Sequence, residues 1–311
     1  MSPTPYALLN GRMIPAAELT IPAYDAGFVL GATVSEQLRT FDGALYKLDE
    51  HLARLQRGLE ITAIELGCPI EQLATWAKEL AAANHRLLDP ADDLGLSIFV
   101  TPGPYATFAP PHVPRQPTIG MSTYPLPFRL WADKYSAGER LAVSDVRQIN
   151  VASWPRDLKC RSRMHYYLAE QDVRRRSPGA RPLLLDEFGH VNETPTANVV
   201  GYIGSSDAGY LVAPFERGVL PGISQAELLA TAIRLEIADG GGRNFTPVEL
   251  IREMSELWIT STPFCMLPVV TLDDDLIGNG RPGPVYKKLL DAWSSEVGVD
   301  IAAQALRFAG R

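Results

Sequence analysis

Cysteine is scarce in this 311-residue chain: Cys68, Cys160 and Cys265 are the three present, and they lie far apart. Such spacing implies neither a disulfide framework nor a cysteine metal knot, and it fits a reducing compartment. The five histidines are equally scattered, so no metal centre is expected. No stretch approaches 18 uninterrupted apolar residues, and residues 1–11 lack a basic start followed by an apolar run. A soluble, cytoplasmic protein without a membrane partner is therefore expected. Basic charge is short as well: 29 Lys and Arg stand against 36 Asp and Glu, a formal charge of -7. That balance disfavours nucleic acid, whose binders need a concentrated basic surface. The basic run Arg174-Arg175-Arg176 precedes Ser177-Pro178-Gly179 and reads as a helix end, where positive side chains meet the negative pole. Internal repeats and low-complexity tracts are absent.

What is present is an ordinary globular balance, 46% hydrophobic and 21% charged, in a chain long enough for two domains. The stretch Pro125-Leu126-Pro127-Phe128 suggests a boundary near residue 130, dividing a smaller domain, 1–130, from a larger one, 131–311. Both halves mix strands and helices, an α+β pattern. In the first, residues 6–15 read as a hairpin, 33–40 as a strand and Asp42-Gly43 as a tight turn into a return strand at 45–48. Asp49 is expected to cap a helix reaching about Leu66, with Leu52, Leu55, Leu59, Ala63 and Leu66 on one face. A second amphipathic helix spans 70–84, and strands follow at Leu94–Thr101 and Thr118–Pro125 around a proline-rich loop. In the second half the pattern gives a strand at 141–148, a helix from Met164, and a hairpin over 181–192 turning at 187–189. Gly240-Gly241-Gly242 reads as a turn and Thr246-Pro247 as a helix start.

Two residues invite a chemical reading. Lys159 precedes the helix and lies at an element's edge, where an amine can be buried and still be reached; Glu193 follows the hairpin at another edge. Taken with Leu168-Ala169-Glu170-Gln171, Leu184-Leu185-Asp186, Gly189, Val191 and Asn198-Val199, they give a line that resembles the class IV aminotransferases, the fold type IV pyridoxal-phosphate enzymes. Asp25, Gly27, Gly31, Glu36 and Arg39 match that family's amino-terminal signature, and the string from Asp49 to Leu55 matches its phosphate-arginine segment. Leu220-Pro221-Gly222-Ile223-Ser224 and Ser261-Thr262-Pro263 match two further phosphate-binding stretches.

The resemblance implies a two-domain α+β fold with pyridoxal 5'-phosphate as cofactor, held chiefly by the larger domain. It implies Lys159 as the lysine that carries the cofactor and moves the substrate proton, and Glu193 as the partner of the pyridine nitrogen. Arg54, Thr262 and the amides of Ile223 and Ser224 would anchor the phosphate. His51 is either a second residue near the phosphate or a structural histidine, and Trp154 either packs on the cofactor or covers the core. The implied reaction is transamination between an amino acid and a 2-oxo acid, 2-oxoglutarate by default, in a homodimer whose partner subunit helps wall the pocket. The alternative is aminodeoxychorismate lyase, which releases pyruvate. The chain also departs from the pattern. Thr33 and Ser35 replace a glycine and an aromatic residue, Pro102 stands where D-amino-acid enzymes have an arginine, and Met164 stands where branched-chain enzymes have a tyrosine, leaving Tyr166 and Tyr167 as substitutes. Ser35, Pro102 and Tyr105 are the expected substrate-facing positions.

Overall fold

The structure, a computed structural model, describes residues 4–153, 155–215 and 218–310; Trp154 lies outside them. The chain forms two compact units, Met1–Leu126 with Asp157–Ser162, and Pro127–Arg156 with Arg163–Arg311. A single break near residue 130 therefore does not describe the division. The hexapeptide around Lys159 returns to the first unit because its backbone pairs with a strand there.

The first unit is built on strands β1 (Tyr6–Leu9), β2 (Arg12–Pro15), β3 (Val34–Phe41), β4 (Ala44–Leu45), β5 (Leu94–Thr101) and β6 (Thr118–Pro125). They form an antiparallel sheet in the order β2-β1-β6-β5-β3-β4. Side chains alternate between the faces of a strand, so Val34 and Leu38 of β3, Leu96, Ile98 and Val100 of β5, and Ile119 and Met121 of β6 share one face. That face is covered by helices α2 (Leu48–Thr62) and α3 (Ile70–His85), whose Leu52, Leu55, Leu59, Leu73 and Leu80 complete the core. Each such aliphatic side chain contributes roughly 1.5–3 kcal/mol by leaving water. The short helix α1 (Ala26–Val29) precedes β3 and is capped by Asp25, which accepts from Gly27 N–H at 2.7 Å and from Thr118 Oγ1 at 2.7 Å.

Two boundaries differ from the sequence pattern. The return strand β4 is only two residues long, because Asp42 and Gly43, with φ of 50° and 72°, turn the chain within two residues and Lys47 then enters α2 from a left-handed conformation. Asp49 accordingly sits inside the first turn of α2, not at its cap, where its charge still favours the helix pole. The helix stops at Thr62 because Ala63 turns left-handed, and Leu66 packs against the core from outside it.

The second unit carries β7 (Glu139–Val143), β8 (Arg181–Leu183), β9 (Glu193–Thr194), β10 (Ala197–Gly204), β11 (Gly209–Pro214), β12 (Ala238–Arg243), β13 (Glu256–Ser261), β14 (Cys265–Leu272) and β15 (Asp275–Leu276). Their order is β12-β11-β10-β13-β14-β7-β8, with β9 added to β10 and β15 to β14. The central strands are antiparallel, whereas β12 runs parallel to β11, β7 to β14 and β8 to β7. Its helices are α4 (Lys134–Ala137), α5 (Met164–Arg176), α6 (Ile223–Arg234), α7 (Pro247–Glu253), α8 (Pro284–Val297) and α9 (Ile301–Arg307). Thr246 and Glu249 form a reciprocal capping box at α7, as Thr246-Pro247 suggests. The glycine run 240–242 is not a turn but part of edge strand β12. Its lack of side chains has a use there, since a Cβ on Gly240 would lie 2.4 Å from the Tyr210 ring. Among the described residues no helix is long and apolar enough to cross a membrane.

Gly103 closes β5 at φ +81°, and a Cβ there would lie 1.8 Å from the Gln116 carbonyl oxygen. Its own carbonyl accepts from Ala26 N–H at 2.8 Å, anchoring the start of α1. Gly103→Ala should lower the unfolding free energy by more than about 2 kcal/mol. Gly67→Ala, at φ +73° with open space around it, should cost only about 1 kcal/mol. Urea denaturation midpoints of the two variants compare them directly.

Candidate active site

Lys159 is fixed by its main chain. Ser35 N–H donates to the Lys159 carbonyl at 2.9 Å, Arg161 N–H donates to the Thr33 carbonyl at 2.9 Å, and Cys160 bridges Val34 in antiparallel register. Residues 159–161 thus extend the sheet by one short edge alongside β3. By strand alternation Lys159 and Arg161 fall on the face of Thr33, Ser35 and Gln37, the face opposite α2 and α3. Ser35 is fully buried, and its Oγ has no hydrogen-bond partner. A buried hydroxyl in that state costs about 1–3 kcal/mol, a penalty tolerated where a ligand is bound.

The helix-facing side of β3 holds a charge cluster. Glu36 Oε1 accepts from Arg54 Nε at 2.7 Å, its Oε2 accepts from Arg54 Nη2 at 2.9 Å, and His51 Nδ1 lies 2.8 Å from Oε2. All three side chains are buried. Burial pushes the Glu36 carboxyl upward, but the Arg54 charge and the hydrogen bonds from Arg54 and His51 outweigh it and hold the group well below the usual carboxylate range. Burial lowers the His51 pKa against the pull of Glu36, so the imidazole is neutral and donates through Nδ1. His51 is therefore a hydrogen-bonded structural partner of Glu36, and the fork of Arg54 is oriented by the same carboxylate.

In the second unit Glu193 is buried, and its Oε1 accepts from Tyr166 Oη at 2.6 Å and from Gln148 Nε2 at 2.6 Å; Leu220 N–H approaches Oε2 at 3.4 Å. Burial raises the Tyr166 phenol far above its ordinary value, and the Glu193 charge adds to that, so Tyr166 stays protonated and remains a donor. Glu193 pairs with Asn198 across β9 and β10, and Asn198 pairs with Thr260 across β10 and β13. The three share one face in a polar row spanning about 10 Å of sheet. Thr260 Oγ1 is buried and without a hydrogen-bond partner. Beside Asn198 lies the start of α6, where Asn198 Nδ2 donates to the Leu220 carbonyl at 2.9 Å and a Cβ on Gly222 would sit 1.9 Å from Asn198 Oδ1. Gly222 caps α6 in an extended conformation with no side-chain cap, so the Ile223 and Ser224 amides are presented at the helix pole.

Of the other expected positions, Thr262 lies in the turn joining β13 to β14, beside Ser261, whose Oγ donates to the Thr196 carbonyl at 2.7 Å. Pro102 is exposed just beyond β5, and Tyr105 is half-buried, its ring edge-on to Phe108. An open cavity of about 520 Å³ in the first unit is walled by Ile21, Ala23, Phe28, Thr33, Phe99 and Arg161. Sequence reasoning did not single out Gln148, Thr260 or Arg161, and it noted Asn198 only as part of a matching stretch. Their only local signal is a polar residue in or beside an apolar strand pattern, which solvent-facing positions share. Met164 is exposed at the first residue of α5, and of the two tyrosines named in its place Tyr166 donates to Glu193 while Tyr167 is exposed.

These residues suit pyridoxal phosphate. A phosphate calls for unspent amides at a helix pole, which Gly222 leaves at α6; a protonated pyridine nitrogen calls for an oriented buried carboxylate, which Tyr166 and Gln148 make of Glu193.

Comparison with known proteins agrees. The model of the family described as Amino-transferase class IV matches residues 33–272. A D-alanine aminotransferase of Bacillus licheniformis is 27% identical over 295 residues, covering 93% of this chain and 96% of its own. A putative branched-chain-amino-acid aminotransferase of Methanocaldococcus jannaschii is 26% identical over 284 residues, covering 90% and 92%. Among solved structures, the branched-chain amino acid aminotransferase of Escherichia coli superposes with a TM-score of 0.81 at 20% identity, covering 94% of each chain. A T.th. branched-chain amino acid aminotransferase solved with pyridoxamine 5'-phosphate gives 0.81 at 19% identity, covering 100% of this chain and 98% of its own. The two structural likenesses show a shared fold.

The charge cluster gives a test. Glu36→Gln should cost about 3–5 kcal/mol of stability near neutral pH, because it leaves the Arg54 guanidinium buried against a neutral amide. A carboxyl held below its ordinary 4.5 stabilises the fold fully above that pH and loses the contribution progressively below it. The wild type should therefore lose urea stability more steeply than Glu36→Gln on acidification from about pH 5 to pH 3.

Proposed function

Because this chain belongs to the class IV aminotransferases, pyridoxal-phosphate enzymes that exchange an amino group between an amino acid and a 2-oxo acid, we propose a role for each site residue. Lys159 would hold the cofactor through Nζ, and its free amine would serve as the base that takes the substrate Cα proton and the acid that gives it back. Glu193 holds positive charge at the pyridine nitrogen, with Tyr166 and Gln148 fixing its Oε1. The Ile223 and Ser224 amides and the Thr262 hydroxyl hold the phosphate, and Arg54, oriented by Glu36, supplies positive charge toward it. When bound, the cofactor supplies an electron sink for the pair left on Cα. The observation that carries this reading is the main-chain pairing of Lys159 with β3, which gives the lysine a fixed origin on the sheet.

The acceptor we propose is 2-oxoglutarate, and the setting is the cytoplasm. Ser35, Pro102 and Tyr105 belong to the substrate pocket in this reading. Transamination is preferred to pyruvate release from aminodeoxychorismate because the matching relatives named here are aminotransferases. We also propose a homodimer, supported by the exposed apolar side chains Leu30 and Phe108 of the first unit, which a second copy would cover.

Borohydride reduction of the cofactor-loaded protein should fix the cofactor on the peptide containing Lys159, and Lys159→Ala should abolish both the fixation and the absorption band near roughly 400 nm. Separate additions of D-alanine, D-glutamate, L-leucine and L-glutamate then name the donor and its hand by loss of that band. Glu193→Gln should keep the cofactor but slow the loss of the band by about 100-fold or more. A protein that binds cofactor with no mass added at Lys159 would sink the assignment. Sedimentation equilibrium should give twice the 34.0 kDa chain mass, and a monomer would remove the homodimer.

A further inference from the structure

The face of the first sheet that carries Lys159 also carries Arg161, two residues on and about 6.5 Å further along an extended chain. Lys159 lies across from Ser35 and Arg161 across from Thr33. On the other side of β3, Phe99 lies across from Ser35 and Ser97 across from Gln37. The 520 Å³ cavity is lined from this face by Thr33, Phe99 and Arg161, and among its described lining residues Arg161 alone carries a charge; Ile21, Ala23, Phe28 and Phe99 make the rest largely hydrocarbon. The guanidinium is held in place: Arg161 Nη2 donates to Ser97 Oγ at 2.7 Å while its main-chain N–H is bonded to Thr33. Gln37 Nε2 in turn donates to Tyr124 Oη, so the polar side of this face is ordered.

A planar guanidinium matches a carboxylate in a two-pronged fork, and an oriented one loses less freedom on binding than a solvated lysine would. One cation at the side of an apolar cavity suits a monoanion with a hydrocarbon body better than a phosphate ester or a sugar acid.

We propose that Arg161 determines specificity by taking the carboxylate of a substrate whose aliphatic or aromatic side chain lies against Ile21, Phe28 and Phe99. The proposal rests on Lys159 being the reactive lysine. It makes the preferred donors apolar 2-amino acids, and it ranks simple amines without a carboxylate well below them.

The test uses the cofactor-loaded enzyme and an unreactive pair of probes, 4-methylvalerate and its uncharged amide, titrated by calorimetry. The wild type should bind the acid at least about tenfold more tightly than the amide. Arg161→Gln should lose that preference while binding the amide as before, and Arg161→Lys should keep part of it. Equal binding of acid and amide by the wild type, no binding of the acid, or undiminished acid binding by Arg161→Gln would each overturn the proposal; the first two need no variant and hold even if Arg161→Gln fails to fold. Borohydride fixation is read on the same samples. Fixation at Lys159 without acid preference removes the role of Arg161 alone, whereas no fixation in the wild type removes the assignment of Lys159 and this inference with it.

Discussion

Two main-chain hydrogen bonds, Ser35 N–H to the Lys159 carbonyl and Arg161 N–H to the Thr33 carbonyl, fix everything chemical in the first unit. Without them residues 159–161 would be loop, and the amine of a long, flexible side chain would have no defined origin. With them Lys159 becomes part of a sheet whose other face is sealed by two helices and a leucine-rich core. A reactive group is best placed from a rigid element, because an error of about 1 Å in its position costs orders of magnitude in rate.

The same strand separates two kinds of polar chemistry. Even-numbered Glu36 points into the helix layer, where Arg54 and His51 satisfy it completely. Odd-numbered Ser35 points the other way and is left unsatisfied. Adjacent residues thus meet opposite fates through the two-residue period of a strand. On one face the charges are paired and buried, and on the other a buried hydroxyl stands without a partner.

In the second unit the logic is a row rather than a face. Glu193, Asn198 and Thr260 come from three strands and are brought level by register. Asn198 is the hinge of this arrangement: its amide holds the Leu220 carbonyl, and its oxygen occupies the space that only a glycine at 222 leaves open. The helix pole of α6 and the buried carboxylate of Glu193 are thereby tied to one sheet. A one-residue slip of β10 would move Asn198 to the opposite face and separate them.

Much of this was legible in the chain itself. The leucine spacing over α2, the Asp42-Gly43 turn, the Thr246-Pro247 helix start and the matched stretches around Lys159 and Glu193 are local signals, carried by neighbours within a few residues. Local propensity also set the α+β character of both units. What it left undecided depends on partners far along the chain. The glycines at 240–242 form a strand because β11 offers an unpaired edge, and Asp157–Ser162 joins the first unit because β3 does the same. Arg161 and Thr260 gain meaning only from strand pairing, since an arginine beside a lysine or a threonine in a strand looks the same whether it faces water, core or ligand. The sequence by itself determined which residue types and elements are available. Which of them share a face was decided by hydrogen-bond register between distant strands, an interaction of backbones that side-chain identity does not encode locally.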